Sequence, residues 1–170
     1  MRELGENEFR VLRKALKFFN SFDFLTNYRL IAVEKELYAV SGELFEFLKL
    51  RNLECVAGVK VGEIGKRLRL TLEGAFWLMK NEKKKIWVNN RGEMLFLYGR
   101  DIFAGSVEKV GEFEENEVVF VCNRYGDILG IGRSRFKSSE ILKLPEDRIA
   151  IENLVDRGAY LRHEKLYKSF

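Results

Sequence analysis

Histidine and proline occur only once each in this chain of 170 residues, cysteine occurs twice, and glutamine is absent. The single histidine, His163, lies in a charged C-terminal stretch, where a Ser-His-Asp or Cys-His arrangement has no enclosed place to form, so we assign no catalytic residue. Cys55 and Cys122 lie in separate apolar runs and form no Cys-x-x-Cys pair, so we predict no metal site and no cofactor. We interpret both thiols as small buried side chains in a reducing compartment.

Long apolar runs are also missing. The chain has no stretch of about 18 consecutive apolar residues, and its charged N-terminus lacks the apolar segment of a signal peptide. We therefore predict no membrane partner and a cytoplasmic location. Abundant lysine and glutamate, with a single proline and no glutamine, are typical of hyperthermophiles and indicate an archaeal source.

The sequence does contain mixed charge and ample apolar material. Hydrophobic residues make up 46% and charged residues 33%, and the net charge is +4 with a pI near 9.0. This composition supports a packed core, and the modest basic excess is compatible with an RNA partner. The acidic run at residues 112–117 is interpreted as a turn. Its densest group, Glu114, Glu115 and Glu117, is interpreted as solvated, since no apolar neighbour is expected to raise a carboxyl pKa there.

Apolar periodicity organises the first half of the chain. Residues 6–20 form a predicted amphipathic helix, with apolar positions at Phe9, Leu12, Leu16 and Phe19. Between them lie four basic residues, Arg10, Arg13, Lys14 and Lys17. These cations could contact phosphates, but charges opposite an apolar stripe more usually form a solvated face, which is our interpretation.

Turn and cap signals divide the rest of this half. Apolar runs at residues 28–33 and 37–40 predict a hairpin, and Ser41 is a predicted helix N-cap. Strands are expected at residues 56–64 and 66–70. Thr71 is predicted to cap a helix whose buried stripe is Leu72, Ala75, Phe76 and Met79. A polar run at residues 81–85 sets the predicted boundary between an N-terminal domain, 1–83, and a C-terminal domain, 84–170.

The second half is rich in strand signals and in glycine. Strands are predicted at residues 85–89, 118–122, 128–132, 148–153 and 160–162, and Gly99 is a predicted helix terminator. These elements predict a small β-barrel with one helix. The expected fold class is α+β, with a mixed α/β N-terminal domain packed on the C-terminal barrel.

Several motifs of the second half occur together in the order of a known module. They are Leu97-Tyr98-Gly99-Arg100-Asp101-Ile102, Gly105-Ser106-Val107, Ile128-Leu129-Gly130-Ile131-Gly132 and Tyr160-Leu161-Arg162. In this order they resemble the PUA domain, an RNA-binding module. More narrowly, Lys85-Ile86-Trp87-Val88 followed by Phe96-Leu97-Tyr98-Gly99, and Tyr160-Leu161-Arg162-His163-Glu164, resemble the Nip-seven family of large-subunit ribosome-biogenesis factors.

The resemblance implies that the last predicted strand and the helix bearing Tyr98 line an RNA-facing surface. Positive and aromatic side chains suit this role because cations neutralise phosphates and planar groups stack on unpaired bases. Arg162 is the first candidate, since its forked donors grip a phosphate or a base edge bidentately. The full set of predicted RNA-binding residues is Arg162, His163, Lys165, Lys168, Arg157, Arg100, Tyr98, Arg133 and Arg135.

The family resemblance implies a non-catalytic RNA-binding factor in pre-ribosomal RNA processing and large-subunit assembly. Its expected partners are pre-rRNA, uridine-rich in the family, and the pre-ribosomal particle with other maturation factors, which the N-terminal domain would recruit. We expect a monomer. Two alternatives remain open at this point: an RNA-modifying enzyme or its accessory module, and a protein-interaction adaptor whose positive residues only solubilise it.

Overall fold

The computed structural model describes residues 2–51, 57–78 and 83–163. The chain divides into two compact units, Met1–Asn81 and Glu82–Phe170.

A four-stranded antiparallel sheet with flanking helices forms the N-terminal unit, and its strands follow the order β1-β2-β3-β4. Its elements are α1 (Glu6–Phe19), α2 (Phe24–Asn27), β1 (Arg29–Val33), β2 (Glu36–Val40), α3 (Gly42–Arg51), β3 (Val59–Ile64), β4 (Leu68–Leu70) and α4 (Leu72–Leu78). The predicted hairpin is confirmed as β1 and β2. It turns at Glu34, whose φ of 53° is left-handed.

Helix α1 packs most of its apolar stripe into the core of this unit, although Phe9 is 43% exposed. Leu12 and Leu16 are fully buried and belong to a cluster with Phe24, Leu37 and Val61. At its N-terminus, the Glu8 carboxylate accepts a hydrogen bond from the Gly5 backbone N–H at 2.9 Å. The amphipathic helix expected at residues 6–20 is therefore confirmed, with its basic residues on the outer face.

Both predicted caps are confirmed, but one buried stripe is partly wrong. The Ser41 hydroxyl accepts from the Leu44 N–H at 3.2 Å, and the Thr71 hydroxyl accepts from the Gly74 N–H at 3.0 Å. In α4, however, Phe76 is 56% exposed. The buried face of this short helix runs through Leu72, Ala75 and Leu78, which places Phe76 on the opposite side. The fourth predicted stripe residue, Met79, lies outside the described residues.

A six-stranded sheet forms the C-terminal unit, in the order β6-β10-β9-β8-β5-β7. Its elements are β5 (Lys85–Val88), α5 (Asn90–Leu97), β6 (Ile102–Phe103), a 3-10 turn (Ala104–Ser106), β7 (Val107–Val110), β8 (Val118–Cys122), β9 (Ile128–Ser134), α6 (Ser138–Ile141), β10 (Ile149–Asp156) and α7 (Gly158–His163). Among the described strands of this unit, only β5 and β8 pair in parallel. Because β6 and β7 lie at opposite edges of the sheet yet are joined by the short 3-10 turn, the sheet curls into a near-barrel.

The core of the near-barrel is apolar and continuous. Ile86, Phe96, Val121 and Ile151 are fully buried members of one cluster. Cys122 is also fully buried, and burial raises the pKa of its thiol to about 11. The interpretation of Cys122 as a small buried side chain is confirmed, whereas Cys55 lies outside the described residues.

The expectation of one helix and a final strand in this half is wrong. Up to residue 163, where the described part of the chain ends, three helices flank the sheet and the last strand is β10. The stretch predicted as a strand at residues 160–162 belongs to helix α7. The chain leaves β10 at Asp156 and coils at once, so that Arg162 reaches back to the Asp156 carboxylate. That contact requires a helical path, because six residues of extended chain would span about 20 Å.

Candidate nucleic-acid interface

A cleft of about 560 Å³ opens on the surface of the C-terminal unit. Helix α5, the turn between β8 and β9, and the start of α7 form its walls. Its apolar floor includes Leu97, Ile128 and Leu129, and its polar lining includes Glu93 and Asp127. We call it the α5–α7 cleft.

Helix α5 is fixed at both ends by side chains. The Asn89 side chain accepts a hydrogen bond from the Gly92 N–H at 2.9 Å and caps the N-terminus. Gly99, with a φ of +78°, ends the helix as the sequence predicted. Around this end of the helix, the Asn153 side-chain amide donates to the Phe96 carbonyl at 2.9 Å, and the Asn153 backbone N–H donates to the Asp101 carboxylate at 2.8 Å. The cleft wall that carries Tyr98 is thus attached to β10.

Helix α7 is held against the end of α5 by Arg162. Its guanidinium donates two hydrogen bonds, each 2.9 Å long, to the two carboxylate oxygens of Asp156, and it also donates to the Leu97 carbonyl. Asp156 is only 3% exposed. The hydrogen bonds with Asp156 raise the pKa of Arg162 above its ordinary value. Arg162 therefore satisfies a buried carboxylate and one of the carbonyls that α5 leaves open at its C-terminus.

The third wall is the turn between β8 and β9, which Asn123 organises. Its buried side-chain oxygen accepts from the backbone N–H groups of Tyr125 at 3.0 Å and Asp127 at 2.9 Å. Its amide donates to the Asp127 carboxylate at 3.1 Å. Arg124, in the same turn, pairs with Glu108 at 2.8 Å. The turn is thereby fixed with Tyr125 pointing outward, 83% exposed.

Exposed aromatic and cationic groups are found in and near the cleft. Tyr98, which lines it, is 68% exposed, and Tyr160, on α7, is 64% exposed. Arg157 also lines the cleft and is exposed. Planar rings offer stacking surfaces for unpaired bases, and a guanidinium offers charge to phosphates. Glu93 and Asp127 accept hydrogen bonds and repel phosphates, so a nucleotide would place its base in the cleft and its phosphate towards Arg157.

The predicted site residues fall into three groups. Tyr98, Arg157 and Arg162 line the same cleft, and Arg100 is exposed just beyond the end of α5. Arg133 and Arg135 lie elsewhere, at the end of β9 and just after it, and share the Glu152 carboxylate at 3.9 and 3.2 Å. The third group is His163, Lys165 and Lys168. The side chain of His163 and the whole of the two lysines lie outside the described part of the chain.

The predicted RNA contacts did not include three exposed groups in and near the cleft: Tyr125, Tyr160 and Met94. Met94 lines the cleft and is 52% exposed. The Asn123-Arg124-Tyr125-Gly126-Asp127 turn carried a usable signal, because an aromatic residue at the tip of a tight turn between strands has no core to enter. Within the described part of the chain, no group of three metal-ligating side chains is found, and no helix is long and apolar enough to cross a membrane.

Comparison with known proteins matches both units separately. Residues 84–165 match the model of the UPF0113 PUA domain, and residues 1–73 match the NIP7/UPF0113 pre-PUA domain. A solved structure described as a conserved PUA domain protein from Thermoplasma acidophilum shares the fold at a TM-score of 0.64. It is 13% identical and covers 94% of this chain and 95% of that one. The molecule is thus a PUA-domain protein with an N-terminal pre-PUA domain.

Curated relatives narrow the class further. A UPF0113 protein from Archaeoglobus fulgidus is 57% identical over 99% of this chain and 98% of its own length. The chain belongs to the NIP7/UPF0113 family. A more distant relative, the 60S ribosome subunit biogenesis protein NIP7 of Saccharomyces cerevisiae, is 31% identical over 63% of this chain and 61% of its own length.

Proposed function

We propose that this protein is a non-catalytic RNA-binding factor in ribosome biogenesis. Its C-terminal domain, residues 84–170, holds unpaired nucleotides of pre-ribosomal RNA, and its N-terminal domain, residues 1–83, recruits other maturation factors. The observation that carries the proposal is the α5–α7 cleft, where exposed Tyr98 and Arg157 meet an apolar floor. The ribosome-biogenesis assignment is supported by the name of the yeast relative.

Within the cleft, we assign direct contact to Tyr98 and Arg157 and a positioning role to Arg162. Tyr98 presents a ring at the edge of the cleft, and Arg157 presents a positive charge beside it. Arg162 already uses its two terminal nitrogens on Asp156 and Leu97, so its main contribution is to hold α7 in place. Arg100, His163, Lys165 and Lys168 extend the candidate surface beyond the cleft.

Arg133 and Arg135 are weaker candidates. Each lies within ion-pair distance of Glu152, and an anionic ligand would have to compete with that carboxylate. They stay in the proposal as an outlying part of the RNA-facing surface.

Equilibrium binding tests this proposal with a uridine-rich single-stranded RNA longer than about 16 nucleotides and with DNA of the same sequence. We expect tight, salt-sensitive binding that prefers RNA. Arg157→Gln should reduce the slope of log K against log salt by about 0.7, the value of one lost phosphate contact on a single strand. Tyr98→Leu should cost about 1–3 kcal/mol of binding free energy while leaving the slope unchanged, because stacking releases no counterions.

The matched control for Arg157→Gln is Arg91→Gln. Arg91 is an exposed arginine in the first turn of α5, but it lines a different groove, beside Phe103. Its loss should change the slope much less than the loss of Arg157. If the Arg157 and Tyr98 variants both bind like the folded wild type, the cleft is not the RNA site. Absence of binding by the wild type at low salt would overturn the RNA-binding function itself.

A further inference from the structure

Helix α1 carries a second concentration of positive charge, in the N-terminal unit. Its members Arg10, Arg13, Lys14 and Lys17 are all exposed and follow the spacing i, i+3, i+4, i+7, so they share one face of the helix. In the part of the chain that the structure describes, none of the four has a carboxylate within ion-pair distance. We call this surface the α1 basic face.

Several other cations of the same unit are paired. Arg2 contacts Glu8, Lys49 contacts Glu3 at 2.8 Å, and Arg69 contacts Glu63 at 3.1 Å. On the α1 basic face, by contrast, each cation has like-charged neighbours three and four residues away, an arrangement that destabilises a helix. A bound polyanion would remove that repulsion. The face therefore has the charge pattern of a ligand site more than that of a solvating surface.

Two exposed aromatic rings accompany these cations. Phe9, on α1, is 43% exposed, and Phe22, in the connection to α2, is 46% exposed. Together with the four cations and Glu6 they line one groove of about 400 Å³. Glu6 is the acid of this groove and lies in the first turn of α1, at the end away from Lys17. Cations interleaved with exposed rings are the combination that binds the backbone and the bases of single strands.

We propose that the α1 basic face is a second RNA-binding surface, which takes a single-stranded segment. From Arg10 to Lys17 the helix rises about 10 Å, so the four cations lie close enough together to contact phosphates of one short single-stranded segment. Phe9 and Phe22 stack on bases of the same segment. The inference gives the N-terminal unit an RNA contact of its own, in addition to the recruitment of other factors, and it does not depend on the α5–α7 cleft.

A triple variant of the full chain tests it, Arg10→Gln with Lys14→Gln and Lys17→Gln. Glutamine keeps an unbranched polar side chain and a high helix propensity, and removing the repulsion favours folding. With the same uridine-rich RNA, the slope of log K against log salt should fall by about 2, since each lost phosphate contact removes about 0.7 on a single strand. Affinity should fall on the order of tenfold at moderate salt. The matched control is Arg29→Gln with Lys35→Gln and Lys143→Gln, which removes one arginine and two lysines from exposed positions elsewhere and should retain more of the slope.

A separate variant isolates the aromatic contribution. Phe22→Leu keeps an apolar side chain but removes the ring, so affinity should fall about fivefold or more with no change in salt slope. In the wild type, amide hydrogen exchange of α1 should slow when RNA is added, which locates the contact without any substitution.

The outcomes separate this inference from the proposed function. If the α1 triple variant binds RNA like its control while Tyr98→Leu and Arg157→Gln weaken binding, the α1 proposal is wrong and the cleft stands. An acidic protein that binds α1 in place of RNA would give that same result. If the triple variant weakens binding and the cleft variants do not, RNA binding belongs to α1. In a variant that combines the α1 triple change with Tyr98→Leu, the two losses of binding free energy should add if the sites are distinct.

Discussion

The two units use their positive side chains differently. In the C-terminal unit, Arg162 is bound to a buried carboxylate and a helix-end carbonyl. In the N-terminal unit, the four cations of α1 are exposed and have no described acidic partner. The arginine that ranked first from sequence as an RNA ligand is thus engaged within the protein, whereas the cations interpreted as a solvated face remain available. Availability to an anionic ligand depends on which acid the fold brings to each cation.

Helix α7 packs closely against the end of α5, where Arg162 makes its contacts. Gly158 begins α7 so close to α5 that a Cβ atom on it would stand 1.8 Å from the Leu97 carbonyl oxygen and 2.8 Å from an Arg162 nitrogen. The walls of the α5–α7 cleft therefore depend on the close contacts of Gly158 and Arg162 with Leu97. The α1 basic face depends only on an amphipathic helix, and its outer residues can change without disturbing the core.

The largest effect is expected from Gly158→Ala. Its Cβ would overlap backbone, which can only be relieved by moving α7, so stability should fall by about 3 kcal/mol. Urea unfolding followed by far-UV circular dichroism measures this. Gly42→Ala is the control, because nothing lies within 4 Å of its Cβ position at the start of α3. A Gly158 variant as stable as the Gly42 variant would show that α7 is not closely packed on α5.

The next largest effect is expected from Asp156→Asn. This change removes the charge that pairs with Arg162 while keeping the side-chain shape, and it should cost about 2 kcal/mol, since hydrogen bonds to charged groups contribute about 1.5–3 kcal/mol. Asp147→Asn, at an exposed acid of the same unit, should change stability little. Measuring RNA binding by Asp156→Asn distinguishes two possible roles of Arg162. If Arg162 positions α7, Asp156→Asn should weaken binding at the cleft. If released Arg162 were itself a ligand, binding would become stronger.

Much of the fold could be predicted because it is encoded locally. The apolar spacing in α1, the caps at Ser41 and Thr71 and the apolar run of β8 all act within a few residues of chain. Helix α7 was missed for the opposite reason. Its path is set by the contact of Arg162 with Leu97, 65 residues away in sequence, which no periodicity records.

The candidate site was predictable only in part. Tyr98 and Arg157, chosen from motif and charge, do lie in one cleft, but their contact with RNA stays a prediction. Tyr160 and Tyr125 were not selected because an aromatic residue in a sequence can equally be core. The turn sequence around Tyr125 could have indicated an exposed ring, whereas for Tyr160 only the three-dimensional fold shows that the ring faces solvent. The number of free donors on Arg162 was likewise invisible until Asp156 was placed beside it.

A smaller effect is expected from Lys14→Gln on the α1 basic face. Lys14 has Arg10 four residues before it and Lys17 three residues after it, so its removal relieves two like-charge contacts and should raise stability by about 0.5 kcal/mol at low salt. The gain should shrink as salt is added, because screening weakens the repulsion. Lys35→Gln, in the turn between β1 and β2, is the control. Equal stability of the two variants at low salt would mean that the α1 cations do not strain the helix.

The smallest effect on stability is expected at a second arginine fork, which resembles that of Arg162 but lies at the surface. Arg2 donates to the two carboxylate oxygens of Glu8 at 2.5 and 2.6 Å. The hydrogen bonds from Arg2, followed by that from the Gly5 N–H, lower the pKa of Glu8 from 4.5 to about 2. Because the folded pKa lies below the unfolded one, the stabilisation is complete above pH 4.5 and is lost as the pH falls through about 2. Solvent keeps this stabilisation small.

An NMR titration of the Glu8 carboxyl group checks this, since it follows one residue and does not require unfolding. Arg2→Gln should move the Glu8 midpoint upward, towards but not fully to 4.5, because the Gly5 N–H still donates to the same carboxylate. Lys49→Gln, which removes the partner of Glu3, should leave the Glu8 curve in place. A wild-type midpoint at 4.5 would show that the fork is open in solution. Arg2 would then be an exposed cation like those of α1, and the Arg162–Asp156 pair would be the remaining arginine–carboxylate fork of this comparison.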